Sequence, residues 1–392
     1  VATADPTWWA DVRPLLQNRC GSCHTEGGST QFPVQRYEDV APWAPVIALT
    51  TAERTMPPFQ AAACCNRWLD DPSLTEDEIA TLAVWAEAGA PEGDPATAVE
   101  PPAPVGGLSR VDRTLGMTED YQPDPAPGSH DDFRCFAIPW EGASGWITGL
   151  QPRPGNRALV HHLLLSSVAP IDAAEILKLD ERDPGPGYDC KAGLGSVPRS
   201  TPIGGSLVGG DFPRGIGIRM EAGSVLVLNL HYSVPDGLAD TTDRTEIDLR
   251  VDDEAVEAKS MVVLNPLWLA GPAMRIPAGA RDVPVWYSYQ PRLLTGGVPV
   301  NLESVTPHMH AWARSMRVLV EHRDGSTDCL LEIPDWQFGW ERPYWFVEPV
   351  PFAEDDAIYI ECRFDNPTDE PFAWGEDNQD MCAAFVAFSD VP

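Results

Sequence analysis

The sequence predicts a multidomain chain in which a small helical amino-terminal domain precedes a much larger all-β region built as two sandwich halves. Three observations carry that prediction. Thr75 and Glu78 make a capping box ahead of Ile79, Leu82, Ala83 and Ala86 at helical spacing, since the hydroxyl and the carboxylate each satisfy an otherwise orphaned backbone N–H. Beyond a stretch rich in proline and glycine the hydrophobic period changes to two, most clearly in Val225–Val234, where Leu226, Leu228, Leu230 and Tyr232 alternate with Val225, Val227, Asn229 and His231. No long helical period competes with the strands downstream, which argues for antiparallel sandwich.

The elements follow in order. Residues 7–19 read as a short helix running into Cys20, and residues 75–88 as a stronger one that Gly89 and Pro91 terminate. Residues 1–90 are therefore expected to form one small helical domain. Pro91, Pro95, Pro101, Pro102 and Pro104, with Gly93, Gly106 and Gly107, make a semi-stiff linker, and the connection extends to about residue 128. Met316–Val320, Ala357–Phe364 and Cys382–Phe388 are further β-like runs. At 392 residues the chain exceeds one domain. A break near residues 262–270 divides the β region into halves at 129–264 and 265–392, with Ile276-Pro277-Ala278-Gly279-Ala280 opening a fresh strand set.

A formal charge of −32 repels nucleic acid and anionic membrane surfaces, so neither is expected as a partner. No run approaches the roughly 18 apolar residues of a membrane span. The Val1-Ala2-Thr3-Ala4-Asp5 start reads as a trimmed end. Nine cysteines point to an oxidising, extracytoplasmic location, a bacterial periplasm or the exterior.

Six of the eight histidines fall in short metal-ligand patterns. Cys20-Gly21-Ser22-Cys23-His24 is the attachment sequence for one covalent c-type haem. One turn must set Cys20 and Cys23 against the vinyl groups and offer His24 as the proximal imidazole, which makes the helical domain cytochrome c-like. Met56, in Thr55-Met56-Pro57-Pro58, is the candidate sixth ligand, because a thioether raises the potential and the prolines stiffen its loop; the plain alternative is a packed methionine.

The other patterned histidines lie in the β region. His308 and His310, at i and i+2, share a strand face and can share a metal. His161 and His162 are adjacent, so joint ligation demands a strand end, a twist or a bulge. His231 projects from the polar-tolerant face of its strand, and Met381 offers a thioether that favours a cuprous ion. Imidazole is the commonest protein ligand for redox copper, while zinc with a structural or hydrolytic role is disfavoured by the thioether and the haem.

These residues resemble the copper type II ascorbate-dependent monooxygenases, the family of peptidylglycine alpha-hydroxylating monooxygenase and dopamine beta-hydroxylase. The matches run in family order over about residues 130–392: Val160-His161-His162-Leu163-Leu164-Leu165, Asn229-Leu230-His231-Tyr232, His308-Met309-His310 and Met381-Cys382. The resemblance implies two jelly-roll-like sandwiches and two copper ions. His161, His162 and His231 would hold an electron-transfer copper; His308, His310 and Met381 would hold the catalytic copper that binds O2, across a solvent-filled cleft. It also implies a disulfide between Cys362 and Cys382, on neighbouring antiparallel strands, and Cys135–Cys190 as a second, with Cys64, Cys65 and Cys329 unassigned.

Two departures shape the functional expectation. The arginine that holds a peptide carboxylate two residues before the family His-x-His is here Thr306. The asparagine and tyrosine after the methionine ligand are here Ala383 and Phe385. The expected substrate is therefore a small molecule less polar than a peptide terminus. The haem is the other departure: a tethered donor, itself reduced by an external electron donor, would replace ascorbate in feeding the coppers. The expectation is a copper monooxygenase hydroxylating a C–H bond, with a haem and copper electron-transfer or copper-binding protein as the alternative. His130 and His322 are left outside both sites.

Overall fold

The computed structural model describes residues 5–25, 30, 32–126, 129–190, 200–205, 209–234, 237–270, 273–292, 294–375 and 379–391. Val1–Ala4, the end that reads as trimmed, lie outside them. The chain divides into two compact units, Val1–Phe59 with Asp70–Gly107, and Gln60–Leu69 with Leu108–Pro392.

The expected fold class, a separate all-α cytochrome c domain over residues 1–90 followed by two jelly-roll-like sandwiches, is overturned in its first part. The chain is mostly β, with 38% strand against 18% helix. Its amino-terminal helices are short: α1 (Arg13–Arg19), α2 (Tyr37–Val40), α3 (Ala44–Ala52) and α4 (Glu76–Glu87). Gln60–Leu69 leaves them to join the β unit, so residues 1–90 do not close on themselves. The physical reason lies in that segment: Cys65 is disulfide-bonded to Cys329, and Trp68 bridges to Phe346. Two β-sandwiches remain compatible with what folds downstream.

In the first unit, Trp8, Val12, Leu16, Val40, Leu82 and Trp85 form a buried core. The capping box of α4 is present, with Glu78 N donating to Thr75 Oγ1 at 3.2 Å and Thr75 N to Glu78 Oε2 at 2.7 Å. The proline-rich stretch 91–107 lies along these elements instead of standing off as a spacer. Trp8 N donates to Pro91 O, Val99 N to Trp9 O, and Val105 N to Asn18 O.

In the second unit the first sandwich pairs Tyr188–Asp189, Asp131–Pro139, Val225–Ser233, Val160–Val168 and Ser200–Gly205, in that spatial order. Facing them is a sheet ordered Arg113–Gly116, Glu246–Asp252, Gly145–Arg153, Ile216–Met220 and Val256–Glu257. Phe136, Ile147, Leu163, Leu165, Leu228, Leu230 and Leu249 fill the space between. The stretch Arg113–Gly116, linker by composition, is thus an edge strand. A helix that the strand pattern concealed, α5 (Pro170–Arg182), starts with proline at its first turn and buries Ala173 and Ile176 against Val225, Val227 and the Cys135–Cys190 disulfide. The face of Val225–Ser233 expected to tolerate polar groups is therefore covered along part of its length.

The second sandwich has one sheet of Lys259–Val263, Ala383–Asp390, Val300–His308 and Tyr344–Phe352, and another of Val283–Tyr289, Ala357–Phe364, Ala313–Glu321 and Thr327–Ile333. Lys259–Val263 pairs with the last strand, so the second half begins before residue 264. Cys362 and Cys382 are bonded, but not as strand neighbours: Ala357–Phe364 and Ala383–Asp390 belong to different sheets, and the bridge ties the two layers. Among the described residues, no helix is long and apolar enough to cross a membrane.

Candidate metal centres

The first cluster depends on a bulge. Val160 pairs with Tyr232 and His162 with His231, so the register shifts between Val160 and His162 and His161 is the additional residue. A regular strand sends neighbours to opposite faces; the inserted residue turns both rings to one side. One ring nitrogen from each of His161, His162 and His231 lies within 4.8 Å of the others. The Nδ1 atoms of His161 and His162 are 3.1 Å apart, and those of His231 and His162 are 3.4 Å apart. On the far side of His231, Nε2 faces Asp131 Oδ1 at 3.0 Å. A carboxylate on one ring nitrogen directs the other toward a metal and raises its basicity. Burial holds the His161 pKa down to about 4 and the His162 pKa well below its ordinary value. These rings are neutral near pH 7, the state a metal requires.

The second cluster holds His308 and His310. His308 ends its strand opposite Ala383, and the backbone N–H groups of His310 and Met381 meet at one carboxylate oxygen of Asp380. The His308 and His310 rings are 5.3 Å apart and perpendicular. His308 Nδ1 contacts both Glu341 oxygens at 3.1 and 3.2 Å, and His310 Nδ1 donates to Gln379 O at 3.4 Å. Burial lowers the His310 pKa to about 3.

Asp380 locks this loop. Its carboxylate is fully buried. Oδ1 accepts the backbone N–H groups of His310 at 2.6 Å and Met381 at 2.7 Å, and Oδ2 accepts that of Trp312 at 2.9 Å. Burial raises its pKa to about 6 despite these bonds.

Phe338 touches rings of both clusters. Its ring centroid is 4.8 Å from His161, 6.3 Å from His162 and 5.8 Å from His310. The separation of the His161 and His310 rings therefore cannot exceed the sum of two ring contacts. Thr306 pairs directly with Phe385 on the face that carries His308, and the Phe385 ring is 6.2 Å from His308.

In the helical unit, Cys20 and Cys23 are free thiols. Cys23 N and His24 N both donate to Cys20 O, at 3.2 and 2.8 Å, a turn that gathers the three side chains. His24 Nδ1 donates to Phe32 O at 3.0 Å, orienting Nε2 as the nitrogen for iron. Phe32 stands 4.7 Å from the His24 ring and stacks on Trp43 at 5.1 Å. This donor set fits a covalently attached haem. Met56 follows α3, half-buried, with its N–H bonded to Thr50 O at 3.2 Å; its place as sixth ligand rests on sequence.

Asp131, Glu341, Phe338 and Asp380 were not anticipated from sequence. Only Asp380 carried a signal, by adjoining Met381; the others reach their histidines from elements distant in the chain. His130 bonds Val234 O through Nδ1, and His322 sits between Asp356 and Asp328, all at 3.1 Å.

No protein-family profile matches this sequence, and no curated protein does. Among solved structures, the bacteriophage PM2 major capsid protein P2 is 8% identical, over 71% of this chain and 98% of that one, at a TM-score of 0.28. A Paenibacillus xanthan lyase is 10% identical, with 71% of this chain covering 24% of that one, at a TM-score of 0.19. Infectious bursal disease virus VP2 is 10% identical, over 71% of each chain, at a TM-score of 0.20. None of these three is a copper monooxygenase, and likenesses this weak carry no argument about activity.

Proposed function

We propose that this chain is an extracytoplasmic copper-dependent monooxygenase that hydroxylates a C–H bond of a small apolar substrate and takes its electrons through a haem c on Cys20, Cys23 and His24, supplied by an external donor. The observation that carries the reading is the pair of imidazole clusters, His161, His162 and His231 converging through ring nitrogens and His308 with His310 at 5.3 Å, with Phe338 touching rings of both. When bound, copper supplies O2 activation at the methionine-bearing site and single-electron transfer at the other, and haem c supplies the reducing equivalents.

The residues divide that work. His161, His162 and His231 form the electron-transfer site, and Asp131 orients His231. His308, His310 and Met381 form the O2 site; Glu341 and the Gln379 carbonyl aim the two imidazoles, and Asp380 ties the backbones of His310 and Met381 together. Thr306 and Phe385 offer the substrate a hydroxyl and a ring where the peptide-hydroxylating enzymes offer a cation and polar groups, which supports an apolar substrate. Three disulfides among the described residues are compatible with an oxidising compartment.

The contact of Phe338 with rings of both clusters favours one further reading, a haem and copper electron-transfer protein without hydroxylation, because it keeps the two sites within two ring contacts of each other. Oxygen uptake separates the two. The copper-loaded, reduced protein is expected to bind two copper ions and to consume O2 in step with oxidation of an apolar substrate. Two coppers with no substrate-dependent uptake would leave the electron-transfer reading, and no copper at all would refute both.

A further inference from the structure

A cluster of three sulfurs and a carboxylate, containing none of the histidines, is assembled where Gln60–Leu69 lies on the strand Thr327–Ile333. The strand is built for it. Val318 pairs with Leu331 and Leu319 with Cys329, so Leu330 is an inserted residue. Leu330 and Leu331 are consecutively buried at 0% exposure. In a regular strand Cys329 and Glu332, three residues apart, would face opposite ways; the bulge turns both outward, half-buried. Asn66 then caps the bulge, its Nδ2 donating to Cys329 O and Leu330 O at 2.9 Å each. Ala62 N donates to Glu332 O at 2.8 Å. Held at both ends, the segment sets Cys64 and Cys65 over Cys329 and Glu332. Cys65 is bonded to Cys329. Cys64 is an exposed free thiol, 3.9 Å from Cys65 Sγ and 3.6 Å from Glu332 Oε2.

A thiol in reach of a disulfide sulfur, with a carboxylate on its proton, has the parts that thiol–disulfide exchange needs: a thiolate, an electrophilic sulfur and a leaving sulfur. We propose that Cys64, Cys65, Cys329 and Glu332 form an internal thiol–disulfide exchange site. Glu332 takes the Cys64 proton. The Cys64 electron pair forms the Cys64–Cys65 bond as the Cys65–Cys329 bond breaks, and the departing pair stays on Cys329 Sγ, which takes up the proton. One disulfide and one thiol exist before and after, so no external oxidant or reductant enters. The product disulfide joins adjacent residues in a small ring, which makes it the minor isomer. In that isomer Gln60–Leu69 loses its covalent tie to the strand Thr327–Ile333, and the Asn66 and Ala62 hydrogen bonds still hold it there.

The test is thiol trapping on the full chain, with N-ethylmaleimide kept dilute so that exchange outruns labelling, followed by proteolysis and mass mapping without reduction. The expected result is two singly labelled species within this cluster, a major one labelled at Cys64 with Cys65–Cys329 intact and a minor one labelled at Cys329 with a Cys64–Cys65 disulfide. Cys64→Ser abolishes the Cys329 label. Labelling confined to Cys64 at every reagent concentration and time would overturn the proposal, and so would Cys329 labelling that persists in Cys64→Ser.

Discussion

Asp380→Ala tests whether one buried carboxylate holds the second cluster together. The substitution leaves three backbone N–H groups, those of His310, Trp312 and Met381, facing a gap where bonds of 2.6, 2.9 and 2.7 Å had been. A buried donor left without an acceptor costs about 2 kcal/mol, so the three together cost about 6 kcal/mol. Against this stands the relief of burying a charge. Lifting the Asp380 pKa from 3.8 to about 6 disfavours the ionised carboxylate by about 3 kcal/mol above that pH. The net local loss is about 3 kcal/mol. Amide hydrogen exchange at residues 310, 312 and 381, read by peptide mass spectrometry at pH 7.5, is expected to accelerate about a hundredfold. Asp380→Asn falls between, since one amide oxygen can keep both Oδ1 bonds while its NH2 is turned on Trp312 N–H. Exchange within threefold of the parent in Asp380→Ala would refute the claim that this side chain organises the loop.

Asp131→Asn weakens the support of His231 and is expected to lower copper affinity at the first cluster about 10- to 100-fold, measured by competition with a chromophoric chelator. Met381→Leu removes the only thioether of the second cluster, and X-ray absorption of the cuprous protein is expected to lose its sulfur scatterer; a signal that survives would reassign the ligand. Phe338→Ala removes the ring that touches both clusters, and under the hydroxylase reading it raises turnover of bulkier apolar substrates relative to smaller ones. His322 tests electrostatics away from the metals. Hydrogen bonds to Asp328 and Asp356 raise its pKa, so its contribution to stability is fully present below its ordinary pKa and is lost as pH rises through the raised folded value. Melting temperature followed across that window is expected to fall in the parent and to flatten in His322→Asn.

Local signals were legible wherever the physics is local. The capping box at Thr75 and Glu78 involves residues three apart, and both bonds form. The adjacency of His161 and His162 required a strand irregularity for joint use, and the register slips at that position. Long-range matters were not legible. The Cys362–Cys382 bond forms between sheets, not between neighbouring strands, because strand order is set by packing across the sandwich. The helix α5 was missed since its short apolar face carries little weight among so many strands. The expected helical domain failed at Gln60–Leu69, whose partners are a cysteine and a phenylalanine more than two hundred residues downstream.

By itself the sequence determined which side chains can take a metal or a haem, because ligand chemistry resides in residue type and short spacing: the Cys20-to-His24 motif, the two histidine pairs, His231 and Met381. The tertiary structure alone decided that His161, His162 and His231 converge, that Phe338 touches rings of both clusters, and that Cys329 and Glu332 face Cys64 and Cys65. Those outcomes depend on where distant carboxylates, rings and bulges come to rest when the apolar faces of separate sheets are buried together. No short window of the chain contains that information.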